Sequence, residues 1–137
     1  MEVQVAALCD YAADYGGKLS AIGVFDTIGA AQFPVIHPHC AVALRILFRD
    51  DDAGQHQFKL SLIDEDGRQL PLNIDAGINV RLPENLFFVS VNMPLILQGL
   101  KFDRPGQYSV DIQMDGKMIA RIPLQVVQAQ PQPPPAA

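Results

Sequence analysis

The chain has no tryptophan, two cysteines and three histidines in 137 residues, and its ten lysines and arginines are outnumbered by 15 aspartates and glutamates. Each scarcity removes a class of protein. Cys9 and Cys40 are too few for a disulfide framework, and with no secretory signal expected they are expected to be free and buried. A formal net charge of −5 with no cluster of Lys and Arg argues against unaided binding to nucleic acid, whose affinity comes mostly from phosphate neutralisation. No stretch approaches the about 20 apolar residues of a membrane span, and the opening MEVQVAALCD has neither a basic region nor a long apolar run. The expected location is therefore the cytoplasm, with no membrane partner. No segment of helical length carries an apolar stripe at the helical period.

What is present is apolar material cut into short pieces. About half the residues are hydrophobic (49%), enough for the core of a single domain, and 11 prolines with 10 glycines supply frequent reversals. Alternation at period two recurs along the chain, as Val3, Val5, Ala7 and Cys9, then Leu19 to Phe25, and then Cys40, Val42, Leu44, Ile46 and Phe48. The segment from Asp10 to Gly17 reads as a turn, Gly23 as a bulge, and Gln32 to His39, broken by Pro34 and Pro38, as extended or looping. Asp50 to Gly54 then turns the chain, Phe58, Leu60 and Leu62 return antiparallel to 40–48, and Asp64 to Gly67 makes the next reversal. Leu70, Leu72 and Ile74 follow on a strand whose Pro71 argues for a sheet edge. Gly77 to Pro83 reads as a connection or short strand, and Phe87, Val89, Val91 and Met93 as a strand bent at Pro94. These add up to about eight to ten short strands, the spacing of an antiparallel two-sheet β-sandwich, immunoglobulin-like in general form. Residues 1–127 form the domain, and 128–137 a proline-rich tail expected to be extended and disordered.

The stretch 100–126 is the clearest. Tyr108, Val110 and Ile112 alternate with polar residues, and Met118, Ala120, Ile122, Leu124 and Val126 form the return strand. A two-residue Asp115-Gly116 loop would pair Val110 with Arg121, placing a charge on the apolar face. A three-residue loop, Met114 to Gly116 with Gly116 left-handed, pairs Ile112 with Met118, Val110 with Ala120 and Tyr108 with Ile122, and is the expected register. Pro105-Gly106 followed by Tyr108 resembles the tyrosine corner of immunoglobulin-like sandwiches, whose hydroxyl bonds to upstream backbone. Val110, however, stands where antibody domains carry their second cysteine.

The runs CDYAADYGGKLSAIGVFD, Phe33-Pro34, LQGLKFDRPGQYSVDIQMDG and the Ile-Pro-Leu-x-Val ending together resemble an uncharacterised bacterial family, a domain of unknown function, over roughly residues 2 to 127. These motifs are turn and strand landmarks. The resemblance implies a β-sandwich and carries no active site with it.

Candidate chemistry is sparse. The acidic turns Asp50–Asp52 and Asp64–Asp66 have the composition of calcium loops, with Asp10, Asp26 or Asp103 as helpers, but a strand separates the two turns by roughly 25–30 Å. Acidic residues in turns ordinarily serve the turn and solubility. His37 and His39 would share a face of an extended segment and begin a metal site; the glutamate that a cupin places three or four residues on is Ala43 or Leu44 here, and His56 belongs to the far turn. Ser20, Ser61, Ser90 and Ser109 all lie in strands with no nucleophile elbow, and Cys9 and Cys40 fall in phase with apolar faces. No catalytic, cofactor or metal residue is therefore assigned, and the chain is expected not to be an enzyme. The expected role is a non-enzymatic binding or assembly module, a homo-oligomer or a protein partner engaging an edge strand or an exposed apolar face. The alternative is a cation-dependent (Ca2+) binding domain or an enzyme using an end loop. Leu86 and Phe88, out of phase with Phe87, and Leu47, out of phase with Ile46 and Phe48, mark a second buried layer or a bend, or else apolar side chains that face away from the core as an interface.

Overall fold

A computed structural model describes residues 1–129; the expected tail lies outside the described residues from position 130 onward. Nine strands occupy it: β1 Glu2–Tyr15, β2 Lys18–Val24, β3 Thr27–Ala30, β4 Val35–Phe48, β5 Gly54–Ile63, β6 Gln69–Val80, β7 Val89–Phe102, β8 Gly106–Met114 and β9 Lys117–Gln128. They form a four-stranded sheet in the order β2-β1-β4-β7 and a five-stranded sheet in the order β3-β9-β8-β5-β6. This is a β-sandwich. The immunoglobulin likeness stops at that general form, because constant-type domains order their strands A-B-E-D over C-F-G. All pairings are antiparallel except β3 with β9.

The core follows from alternation. Val42, Leu44, Ile46 and Phe48 of β4 meet Phe58, Leu60 and Leu62 of β5 and Val110, Ile112 and Met114 of β8, all buried. The segments 40–48 and 56–64 do not pair as the hairpin expected from sequence. A 3-10 turn at Asp50–Asp52 carries the chain from one sheet to the other, where β5 pairs with β6 and β8. Pro71 lies on β6, an edge, as expected, and of the connection or short strand expected from Gly77 to Pro83, Gly77 to Val80 is strand, continuous with β6. Phe87 lies in the β6–β7 loop, not in a strand, since β7 begins at Val89.

Of the proline-broken segment, residues 35–39 take the extended form and belong to β4. Pro38 is tolerated because β1 pairs with β4 only as far as Ala41, so that side of the strand needs no donor there. Pro38 falls opposite Gly99, at φ 64, and the β4–β7 register runs unshifted across the pair. The buried phase changes there in both strands, from Val35 and Phe102 on one side to Cys40 and Leu97 on the other. The two strands bend together.

β1 also corrects the sequence reading. A bulge between Val3 and Val5 breaks the single phase assumed for Val3, Val5, Ala7 and Cys9, so Leu8 enters the main core and Cys9 a second cluster. Asp10 to Tyr15 is strand, closed by a two-residue turn with Gly16 and Gly17 at φ 58 and 83. Gly23 is no bulge, for the β1–β2 register is constant past it; it takes positive φ under the Asp10 carboxylate, where any Cβ would collide. Beyond this point the hairpin folds back over the outer face of its own sheet. Gly17 O accepts a bond from Arg45 Nη1 (3.3 Å), although Arg45 pairs with Val5 at the other end of β1. The fold-back is permitted by small side chains: Cys9, Ala12, Ala41 and Ala43 are buried under it with Leu19 against them.

The C-terminal hairpin keeps its strands and loses its expected register. Asp115 and Gly116, at φ 53 and 78, form a two-residue turn with Met114 opposite Lys117. A bulge at Ile119, between Gln113↔Met118 and Ile112↔Ala120, then moves the phase by one, so Val110 faces Ile122 and Tyr108 faces Leu124. The bulge removes the conflict that favoured a longer loop, because Arg121 now lies opposite Asp111 on the outer face. The corner is closed as expected: Tyr108 Oη donates to Arg104 O at 2.7 Å, and its ring stands edge-on to Phe102 at 4.9 Å. Tyr108→Phe is expected to cost about 1 kcal/mol by loss of that bond, and Tyr108→Ala about 3–5 kcal/mol by loss of the ring, in urea unfolding. A Phe variant as stable as the parent would show that the corner bond contributes nothing.

Candidate functional site

The β4–β7 ladder ends at the pair Phe48↔Val89, and the next residues outward are Arg49 and Phe88. They meet as a cation over a ring, the guanidinium carbon 5.9 Å from the Phe88 centroid. This contact holds one end of the β6–β7 loop, and a turn with Leu86 N donating to Pro83 O (3.0 Å) shapes the rest. Leu86, Phe87 and Phe88 are 45%, 88% and 47% exposed, three large apolar side chains in succession at the rim of the sandwich. Leu47 behaves differently from these and is buried.

The same end carries a knot of polar contacts. His56 stacks on Phe48 with centroids 5.9 Å apart; its Nδ1 lies 2.6 Å from Asp115 Oδ2 and its Nε2 2.5 Å from Asp52 O. Both ring nitrogens thus face acceptors, which favours the doubly protonated ring and leaves no lone pair for a general base. The Asp115 bond and then the Asp52 carbonyl raise the His56 pKa above its ordinary 6.5. Asp115 is lowered below 3.8, first by Gln57 N–H (2.8 Å) and then by His56. Asp52 is lowered chiefly by the Arg49 N–H that its carboxylate accepts (2.9 Å). His56 therefore ties the 3-10 turn to the β8–β9 turn.

The other residues weighed from sequence are scattered. The ten residues of β5 keep Asp50–Asp52 and Asp64–Asp66 about 30 Å apart. Asp64 Oδ1 accepts from Asp66 N and Arg68 N, Asp66 bonds Arg104 (3.0 Å), Asp26 accepts from Thr27 Oγ1, and Asp103 lies 3.8 Å from Lys101 Nζ. His37 and His39 do not share a face, because the bend at Pro38 lies between them: His37 is half-buried, 5.6 Å from the Phe25 ring, with Nε2 unpartnered, and His39 is exposed. Cys9 and Cys40 are free and buried; burial raises both thiols, Cys40 to about 11, which leaves them poor nucleophiles. Ser61 is buried in β5, and Ser109 Oγ donates to Asp111 (2.8 Å). Among the described residues no three His, Cys, Asp or Glu side chains come together as a metal set.

Two features escaped the sequence reading. One is a buried carboxylate, Asp111, 5% exposed, which takes Arg121 through both oxygens at 3.0 Å. Opposite charges ten residues apart across a hairpin were the available signal, hidden by the mistaken register. The other is an open apolar groove of about 270 Å³ between β1, the end of β2 and β9, lined by Ala6, Leu8, Val24, Phe25, Asp26 and Pro123 among others.

Fold and site together define an all-β sandwich domain with five ion pairs among its described residues and a run of exposed apolar side chains at one end. Residues 4–127 match the family of unknown function DUF6941, and the chain belongs to that family. No curated protein matches it. Among the described residues no helix is long and apolar enough to cross a membrane.

The His56 bridge makes stability depend on pH. A raised histidine pKa contributes stability that is complete below about 6.5 and lost as pH rises through the folded value; a depressed aspartate contributes above about 3.8 and loses it as pH falls through the folded value. The melting-temperature difference between the parent and His56→Gln is therefore expected to be largest between about pH 4 and 6.5 and to shrink toward pH 8.5. A difference independent of pH would contradict the bridge.

Proposed function

We propose that this domain is a non-enzymatic binding or assembly module that engages a protein partner through the β6–β7 loop. The observation that carries the reading is the run Leu86-Phe87-Phe88, exposed in sequence although each such side chain would gain roughly 1.5–3 kcal/mol by leaving water. A surface of this kind, with aromatic anchors and a neighbouring arginine, has the make-up of an interface centre. The internal pairing of His56, Asp115, Asp111 and Asp52 supports the same reading, since a group held by two partners has none left for a substrate. A bacterial cytoplasmic setting belongs to the proposal, supported by the two unpaired, buried thiols.

The test is site-specific photo-crosslinking in the source cell. A photoreactive residue at position 87 is expected to give a discrete higher-mass adduct, and one at Asp75, exposed on β6, is expected to give none. Equal labelling at both positions, or no adduct at 87, would contradict the loop as an interface.

A further inference from the structure

We infer that the partner of the apolar loop is a second copy of this chain, and that Phe87 of one copy seats in the apolar groove between β1, β2 and β9 of the next. The inference rests on the loop being an interface, and it names the occupant.

The strand orders put the two surfaces on opposite flanks. In the four-stranded sheet β7 is the edge away from β2 and β1, and in the five-stranded sheet β6 is the edge away from β3 and β9. The loop joins β6 to β7, whereas the groove lies among Ala6 to Leu8, Val24 to Asp26 and Ile122–Pro123. One copy's loop therefore lies across the molecule from its own groove, and the two can meet only between copies. Their chemistry matches. A cavity of about 150 Å³ is enough for a benzene ring, and the groove holds about 270 Å³ with Val24, itself 64% exposed, at its mouth.

Charge agrees at the contact. Two cations belong to the loop, Arg81 within it and Arg49 over Phe88, and the charged residue lining the groove is Asp26, an exposed carboxylate whose Oδ1 accepts the Thr27 hydroxyl. Glu84 lies in the loop and Asp50 and Asp51 at the same end, so the match is confined to Asp26 with Arg49 or Arg81. A contact that joins two different surfaces is heterologous. Because loop and groove lie on opposite flanks, two copies cannot exchange them reciprocally as a symmetric dimer, and the contact closes into a ring or continues as a filament.

That asymmetry supplies the test, by light scattering on size-exclusion fractions of the full chain over a concentration series. The parent is expected to grow in mass with concentration. Phe87→Asp and Val24→Glu are each expected to weaken association at least about tenfold. An equimolar mixture of the two variants is expected to give a particle of two chains and no larger, because one intact loop and one intact groove remain to be joined. Both positions are exposed, and Phe87→Ser and Val24→Thr replace them if either charged variant melts early. A parent that stays monomeric at the highest concentration overturns the inference, while an adduct at position 87 in the cell would still support the loop as an interface for another protein. An oligomer broken by Phe87→Asp but untouched by Val24→Glu, or variants that stay apart on mixing, would overturn the groove as the docking site.

Discussion

The ladder between β4 and β7, which runs unshifted from Val35↔Phe102 to Phe48↔Val89, is the constraint on which the rest of this structure depends. β4 pairs along its whole length with β7 and from Ala41 to Leu47 with β1, and its alternating face supplies Val42, Leu44, Ile46 and Phe48 to the core. Its other face carries Ala41 and Ala43, small enough for the β1–β2 hairpin to lie across them. One end of the ladder bends both strands together at Pro38 and Gly99 and separates His37 from His39. The other end stops one pair short of Arg49 and Phe88, and that step sets the apolar loop on the rim.

The same ladder explains which parts of the fold were legible. Strands with one buried face announce themselves by period two, as β4 and β8 do, and Pro71 marked its edge because it cannot donate to a neighbour. Tyr108 was readable for a local reason, the short path from Arg104 through Pro105-Gly106. The fold-back of β1 and β2 was not, since Asp10 to Tyr15 buries little besides Ala12 and its polar residues read as a turn. The hairpin register failed on one bulged residue, Ile119, whose position depends on what β8 must face across the sheet. Phe87 was misplaced because it stays in phase with Val89 and Val91 although the strand begins only at Val89.

The candidate site was legible in one respect only. Leu86 and Phe88 were out of phase, and out-of-phase apolar residues beside a strand have either a second layer to enter or a surface to form; here they form a surface. The groove was invisible because its walls come from three separated segments, brought together by the crossing of β1 with β9. His56 and Asp115 lie 59 positions apart and meet only because two turns share one end of the sandwich. Contacts of that kind are set by topology, and a sequence pattern carries no trace of them.

A picture emerges of a sandwich whose polar groups hold the frame, while a knob on one flank and a groove on the other face outward. The most direct test is a disulfide formed between copies. Phe87→Cys protein mixed with Val24→Cys protein under mild oxidation should yield the mixed 87–24 dimer well ahead of either homodimer, the native thiols Cys9 and Cys40 being buried. Random formation of all three dimers, or a dominant 87–87 species, would contradict a knob seated in the groove of the next copy.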